Sequence, residues 1–348
     1  MPTAILPVRR QLTIWLGAGI LMVMIQILLG GITRLTGSGL SITEWQPLMG
    51  ALPPLNRVEW TRSFEQYQKI AQFKKLNTYF TLADYQGLYF WEWLHREWAR
   101  LIGVVFIVPF IIFLRQGKFE RAQKWQLAGL FLLGGIQGLA GWVMVQSGLN
   151  DTDVTVNHIR LSVHFCLALL LLIYIFWIFL KLRTATPPRS APFKYRLLML
   201  SIMLLLGLQL IYGAFMAGIH AALFAPTWPD INGGFLTSSP AITGDFFHRI
   251  TYDPLLIQFI HRLLAYLLSC LFLTWFLYTR SLARSRPVSS VNLPVLLLVI
   301  QVALGISTLV NSGTPHFIWL AVAHQFNAIL LLLSMVSIFY STRFRTLQ

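Results

Sequence analysis

Stretches of about twenty mostly apolar residues recur through the 348-residue chain, at 12–33, 94–114, 125–147, 159–180, 196–219, 255–279, 292–311 and 317–340. That is the length a helix needs to cross hydrocarbon. In lipid every backbone N–H and C=O must bond within the protein, so runs of this length are read as helices. Only 11% of residues are charged, against about 25% in a soluble domain. The expected fold is an all-α polytopic membrane protein with eight transmembrane helices. Arg9 and Arg10 precede the first run as in a secretory signal. That run is too long for a signal core and lacks a small-residue cleavage site, so it is expected to stay as a span. The few residues before it leave no room for an organelle transit peptide.

The net charge of +15 does not point to nucleic acid, because the basic residues gather in alternate short loops. Arg115, Lys118, Arg121 and Lys124 follow the second run. Lys181, Arg183, Arg189, Lys194 and Arg196 follow the fourth, and Arg280, Arg284 and Arg286 the sixth. Arg343 and Arg345 close the chain, while the opposite loops 148–157, 220–254 and 312–316 hold only Arg249. This asymmetry puts both termini in the cytoplasm. The long loop 34–93 is then exoplasmic, with a polar, partly helical stretch around 57–76. Pro187 and Pro188 lie in a linker at 184–195, which divides an N-terminal half (1–183) from a C-terminal half (196–348). Cys166 and Cys270 fall inside spans, with neither the place for a loop disulfide nor a zinc spacing, and are read as packing residues.

The halves repeat each other. Gln26-x-x-x-Gly30 matches Gln209-x-x-x-Gly213, and the same offset carries Trp45 onto Trp228 and Gly50 onto Gly233. His95-Arg96 matches His261-Arg262, Gln137-x-x-x-Gly141 matches Gln301-x-x-x-Gly305, and His164 matches His324. Each half is four spans in the order Gln/Gly, His, Gln/Gly, His. Four spans separate the copies, so the halves form a parallel repeat of two pseudo-symmetric four-helix bundles. A single Gln-x-x-x-Gly is explained by close helix packing; four of them alternating with histidine spans also suggest room for a flat ligand.

His95, His164, His261 and His324 each fall within about two to three turns of the exoplasmic end of a span and should form one layer. A lone intramembrane histidine often only bonds a neighbour. Two per half, facing across a bundle, suit a bis-histidine haem. Zinc would want more ligands, and a proton relay more carboxylates. Arg96 and Arg262 pair with haem propionates or extend to lipid headgroups. The halves differ where Glu92 precedes His95, because Gln258 holds that place before His261. A carboxylate beside one site suggests chemistry there and electron transfer at the other; alternatively Glu92 is a helix-start residue favoured by the N-terminal dipole.

The segment Gly30-Gly31-Ile32-Thr33-Arg34-Leu35-Thr36-Gly37-Ser38-Gly39-Leu40-Ser41, followed by Glu44-Trp45 and Pro47, resembles the haem A synthase family. Glu92-x-x-His95-Arg96, the later histidines and the eight-span plan extend the resemblance along the chain. It implies oxidation of the C8 methyl of haem O to a formyl group, by two hydroxylations and loss of water, giving haem A for cytochrome oxidase. It implies haem b as cofactor, its iron on His261 and His324 with Arg262 nearby. It places the substrate haem in the N-terminal half on His95 and His164, with Arg96 nearby and Glu92 stabilising a cationic intermediate or moving protons. The implied setting is the bacterial inner membrane, with an unidentified electron donor, a haem O synthase as neighbour, lipid around it and a homo-oligomer as an option. Some members carry a cysteine pair in the first exoplasmic loop; this chain has none there.

Other residues stay open. His158 is read as a loop residue near the interface, and His220, His248 and His316 as solvated loop residues. Trp45 and Trp228 either cover haem edges or serve as interfacial tryptophans. The competing reading of the whole chain is a non-catalytic membrane cytochrome b that passes electrons from quinol; a transporter is disfavoured because the polar groups gather toward one face.

Overall fold

The computed structural model describes residues 5–44, 49–184, 191–234, 244–282 and 291–342. Trp45, Pro47, Arg189, Arg284, Arg286, Arg343 and Arg345 lie outside these segments. The described residues form α-helices: α1 (Ile5–Leu35), α2 (Arg57–Tyr67), α3 (Ala71–Leu76), α4 (Leu82–Arg115), α5 (Arg121–Gln146), α6 (His158–Arg183), α7 (Phe193–Gly218), α8 (Phe246–Tyr252), α9 (Pro254–Leu282), α10 (Asn292–Val310) and α11 (Phe317–Ser341). Eight of them, α1, α4, α5, α6, α7, α9, α10 and α11, are long and apolar enough to cross a membrane. No β-strand occurs among the described residues. The fold is all-α and polytopic.

The chain separates into two compact units, Met1–Phe179 and Leu180–Gln348. In the first, Trp15 of α1 packs among Phe106, Phe113 and Phe119 and donates its indole N–H to the Val105 carbonyl of α4 at 2.9 Å. In the second, α7 packs along α9 and α10 along α11. Trp275 and Phe272 of α9 are enclosed there.

The helix carrying Glu92 begins earlier than the apolar run suggests. It starts at Leu82, where Thr81 and Asp84 form a capping box; each side chain bonds the other residue's backbone N–H and so satisfies two helix-end donors. Glu92 and His95 therefore stand about three turns inside α4, so Glu92 is not a helix-start residue and the N-terminal dipole does not account for it. The extra turns carry Tyr85, Leu88 and Tyr89, which are buried against α2, α3 and the chain after α1.

This exoplasmic layer is a small core of its own. Tyr85 stacks on Phe64 and Tyr67, with ring centroids 5.1 and 5.3 Å away. Its hydroxyl lies 2.6 Å from the Ser63 hydroxyl and donates to the Ser41 carbonyl at 3.1 Å. Tyr67 donates to Gln72 at 3.0 Å, and Gln72 donates to the Gly37 carbonyl at 2.9 Å. Burial pushes the Tyr67 phenol up to about 12, so it stays a neutral donor at physiological pH. Gly37 has φ +69, the left-handed conformation that glycine adopts without steric cost, and there the chain turns from α1 toward Ser41. Tyr85→Ala is expected to cost about 3–5 kcal/mol, as loss of a buried aromatic does. The 57–76 segment should then be cut sooner under limited proteolysis of the purified protein.

Candidate functional site

Each half presents two histidines on span helices, and each meets a Gln-x-x-x-Gly on a neighbouring helix of the same unit. Gln and Gly are four apart, so they share a helix face. The Gln26 amide nitrogen stands 3.2 Å from Nδ1 and 3.3 Å from Nε2 of His95 and donates to the His95 carbonyl at 3.0 Å. The Gln137 amide is 3.4 Å from Nε2 of His164. Gln209 lies 3.3 and 3.2 Å from the two ring nitrogens of His261, and Gln301 lies 3.1 and 3.2 Å from those of His324.

The glycines form the other wall. A β-carbon at Gly30 would sit 3.0 Å from Cε1 of His95, at Gly141 2.8 Å from Cε1 of His164, at Gly213 3.3 Å from Cε1 of His261, and at Gly305 3.0 Å from Cε1 of His324. The missing side chain thus makes room for the imidazole edge. The sequence suggested room for a flat ligand at these glycines; the space beside them holds the ring itself.

The histidines pair within each unit. His164 lies in the neighbourhood of His95, and His324 in that of His261. All four rings are half-buried. Nδ1 of His164 is buried without a hydrogen-bond partner. Two imidazoles per unit with a glycine-lined recess behind each ring is a donor set that fits bis-histidine haem. Among the described residues no three of His, Cys, Asp and Glu gather as a zinc site needs.

Glu92 is buried and accepts from the Ser41 hydroxyl at 2.8 Å, the Ile42 N–H at 2.9 Å and the Arg96 guanidinium at 2.5 Å. Arg96 also donates to the carbonyls of Ile42, at 3.0 Å, and Glu44, at 3.3 Å. Arg262 does the same in the second half, donating to the carbonyls of Thr227 at 2.7 Å, Ala225 at 3.5 Å, Asp230 at 2.7 Å and Pro229 at 3.3 Å. Ala225 and Thr227 are the repeat partners of Ile42 and Glu44, by the offset that relates Gln26 to Gln209. The two arginines therefore clamp equivalent loops through backbone carbonyls, a role that was not legible from sequence.

The Glu/Gln exchange is read by the same loops. Glu92 accepts from the N–H of residue 42, whereas Gln258 donates its amide to the carbonyl of residue 225 at 2.9 Å. Asn327 escaped the sequence reading, although a polar residue three past His324 on an apolar helix was its signal. It is buried and donates to the Leu297 carbonyl at 2.8 Å and to the Gln301 oxygen at 2.7 Å. Its repeat partner is Leu167.

The remaining histidines are placed plainly. His158 is not a loop residue: it opens α6 and is buried. His220, His248 and His316 are exposed, with His248 stacked on Tyr252 at 4.6 Å between ring centroids. Both cysteines are free thiols, Cys166 half-buried and Cys270 exposed, so the packing role holds poorly for Cys270. Trp228 is 45% exposed.

The chain matches the family described as cytochrome oxidase assembly protein, COX15-CtaA, over residues 13–336. It belongs to this family. It is 39% identical over 337 residues to the heme A synthase of Cereibacter sphaeroides, covering 93% of this chain and 85% of that protein. It is 40% identical over 329 residues to the heme A synthase of Rhodospirillum centenum, covering 92% and 86%. The heme A synthase of Rhizorhabdus wittichii is 37% identical over 336 residues, covering 96% and 95%. The eight apolar helices are thus those of a multi-pass membrane member of this family.

Proposed function

We propose that this chain is a haem A synthase, an oxidoreductase that converts the C8 methyl of haem O to a formyl group. The observation that carries the reading is the repeated histidine pair with a carboxylate beside only one of its copies. His261 and His324 would hold haem b, which supplies electron transfer when bound. His95 and His164 hold the substrate haem in the N-terminal half. The assignment of the halves follows Glu92, since Gln258 cannot take up or release a proton at the equivalent place.

Glu92 does its work from a fixed position. Arg96 and the Ile42 N–H anchor its two oxygens, and the Ser41 hydroxyl bonds Oε2. A carboxylate so placed can hold positive charge that develops nearby, or pass a proton by way of Ser41. Arg96 orients it and fastens the loop above. The glycine recesses and glutamine amides orient the rings, and the apolar helices exclude water. The chain's basic loops support cytoplasmic termini in a bacterial inner membrane.

The test is haem extraction and chromatography of the detergent-purified protein. Haem b together with haem O or A supports the reading. In the same assay His324→Ala should lose haem b, and His95→Ala should keep haem b while haem A disappears. Two haems b per chain and no haem O or A would instead indicate an electron-transfer cytochrome.

A further inference from the structure

Each of the four glutamines lies against a histidine ring, and nothing so far accounts for the state of its oxygen. Oε1 of Gln26, Gln137 and Gln209 is buried without a hydrogen-bond partner. Leaving a buried acceptor unmet is costly, so a donor is expected at some stage of function. The Gln137 and Gln209 amides lie against their own histidine rings, and the Gln26 nitrogen also donates to the His95 carbonyl. When one nitrogen of a neutral imidazole binds a metal, the other carries a proton and becomes a donor. A carboxamide suits this pairing because it can donate through its nitrogen to a bare ring nitrogen and accept through its oxygen from a ring N–H. A hydroxyl has less reach, and a carboxylate would bring a charge into the membrane interior.

Gln301 differs. Its oxygen is already taken by Asn327, which is held in turn by the Leu297 carbonyl. Only the Gln301 nitrogen faces His324, so this amide is fixed; that of Gln26 is held by the His95 carbonyl, and those of Gln137 and Gln209 can turn.

We propose that Gln137 and Gln209 are positioning residues whose amide oxygens turn to accept from the non-ligating ring N–H of His164 and His261, and that Asn327 withholds the Gln301 oxygen from His324. The proposal rests on the reading that these histidines ligate haem. The two histidines that would hold the C-terminal haem are then unequal: His261 gains an acceptor for its N–H, which would make it the stronger electron donor, and His324 does not.

The test compares the full-length protein, purified with its haem, with Gln209→Leu, Gln209→Glu and Asn327→Leu. The readouts are haem content, the low-spin electron paramagnetic resonance signal and the midpoint potential. Gln209→Leu should keep the haem, shift the resonance signal and raise the potential, because His261 loses the acceptor that strengthens it as a ligand. Gln209→Glu, a stronger acceptor of the same shape, should lower the potential. Asn327→Leu, which installs the residue found in the N-terminal half, frees the Gln301 oxygen and should also lower it. Wild-type signals and potentials in both Gln209 variants would overturn the proposal. If Gln209→Leu loses its haem, the Gln209→Glu potential decides, and an unchanged value overturns it. Wild-type protein without haem would overturn the functional reading instead.

Discussion

Glu92→Gln is expected to lower haem A output by at least about a hundredfold, the lower range for loss of a positioned acid or base, while haem b content stays at the wild-type level. The replacement keeps the volume but changes the hydrogen-bond sense. Three donors converge on the carboxylate: Ser41, the Ile42 N–H and Arg96. An amide nitrogen in place of one oxygen would face at least one of those donors. Arg96 would lose its ionic partner in a mostly buried site, and breaking a buried pair costs about 3–5 kcal/mol. The loop at Ile42 would loosen, but the C-terminal half has its own clamp in Arg262 and should hold its haem unchanged. Haem analysis of membranes, with haem b as internal standard, separates these effects. Wild-type haem A in the variant would remove Glu92 from the chemistry.

The second large effect is expected at the glycines, and it should be graded. A β-carbon at Gly141 would come within 2.8 Å of His164, whereas one at Gly213 would stand 3.3 Å from His261. The first distance is closer than β-carbons approach other atoms, so the His164 ring must move away from α5. Gly141→Ala should therefore abolish haem A formation with haem b retained. Gly213→Ala needs a shift of a few tenths of an ångström and should keep most of the haem b. Gly305→Val, with two methyl groups added to a β-carbon already 3.0 Å from His324, should lose it. Overpacking of this kind costs about 1–3 kcal/mol. Pyridine haemochrome spectra of the three purified variants give the order directly, and equal haem contents would mean that the glycines do not seat the rings.

The sequence made some of this legible and hid the rest for physical reasons. Apolar length identifies the span helices because lipid leaves the backbone no alternative. The same averaging cut α4 short: its first turns carry Asp84 and Gln86, which read as loop, and the capping box at Thr81 was the signal to extend it. Spacing placed each Gln and Gly on one helix face. Which ring lies against which face is decided by packing between helices remote in sequence. The loops returning over Arg96 and Arg262 leave no trace in composition because their contacts run through backbone carbonyls. Asn327 has no counterpart in the other half, so comparing the repeats could not reveal it.

The opposite use of residues 42 and 225 divides the two halves by more than one side chain. Residue 42 gives its N–H to Glu92, and residue 225 gives its carbonyl to Gln258. A Glu at 258 alone would set a carboxylate oxygen against the Ala225 carbonyl, and a Gln at 92 alone would leave Arg96 without its anion. Each exchange loses a bond to the loop or the arginine it faces, so neither half takes on the other's hydrogen-bond pattern by one mutation.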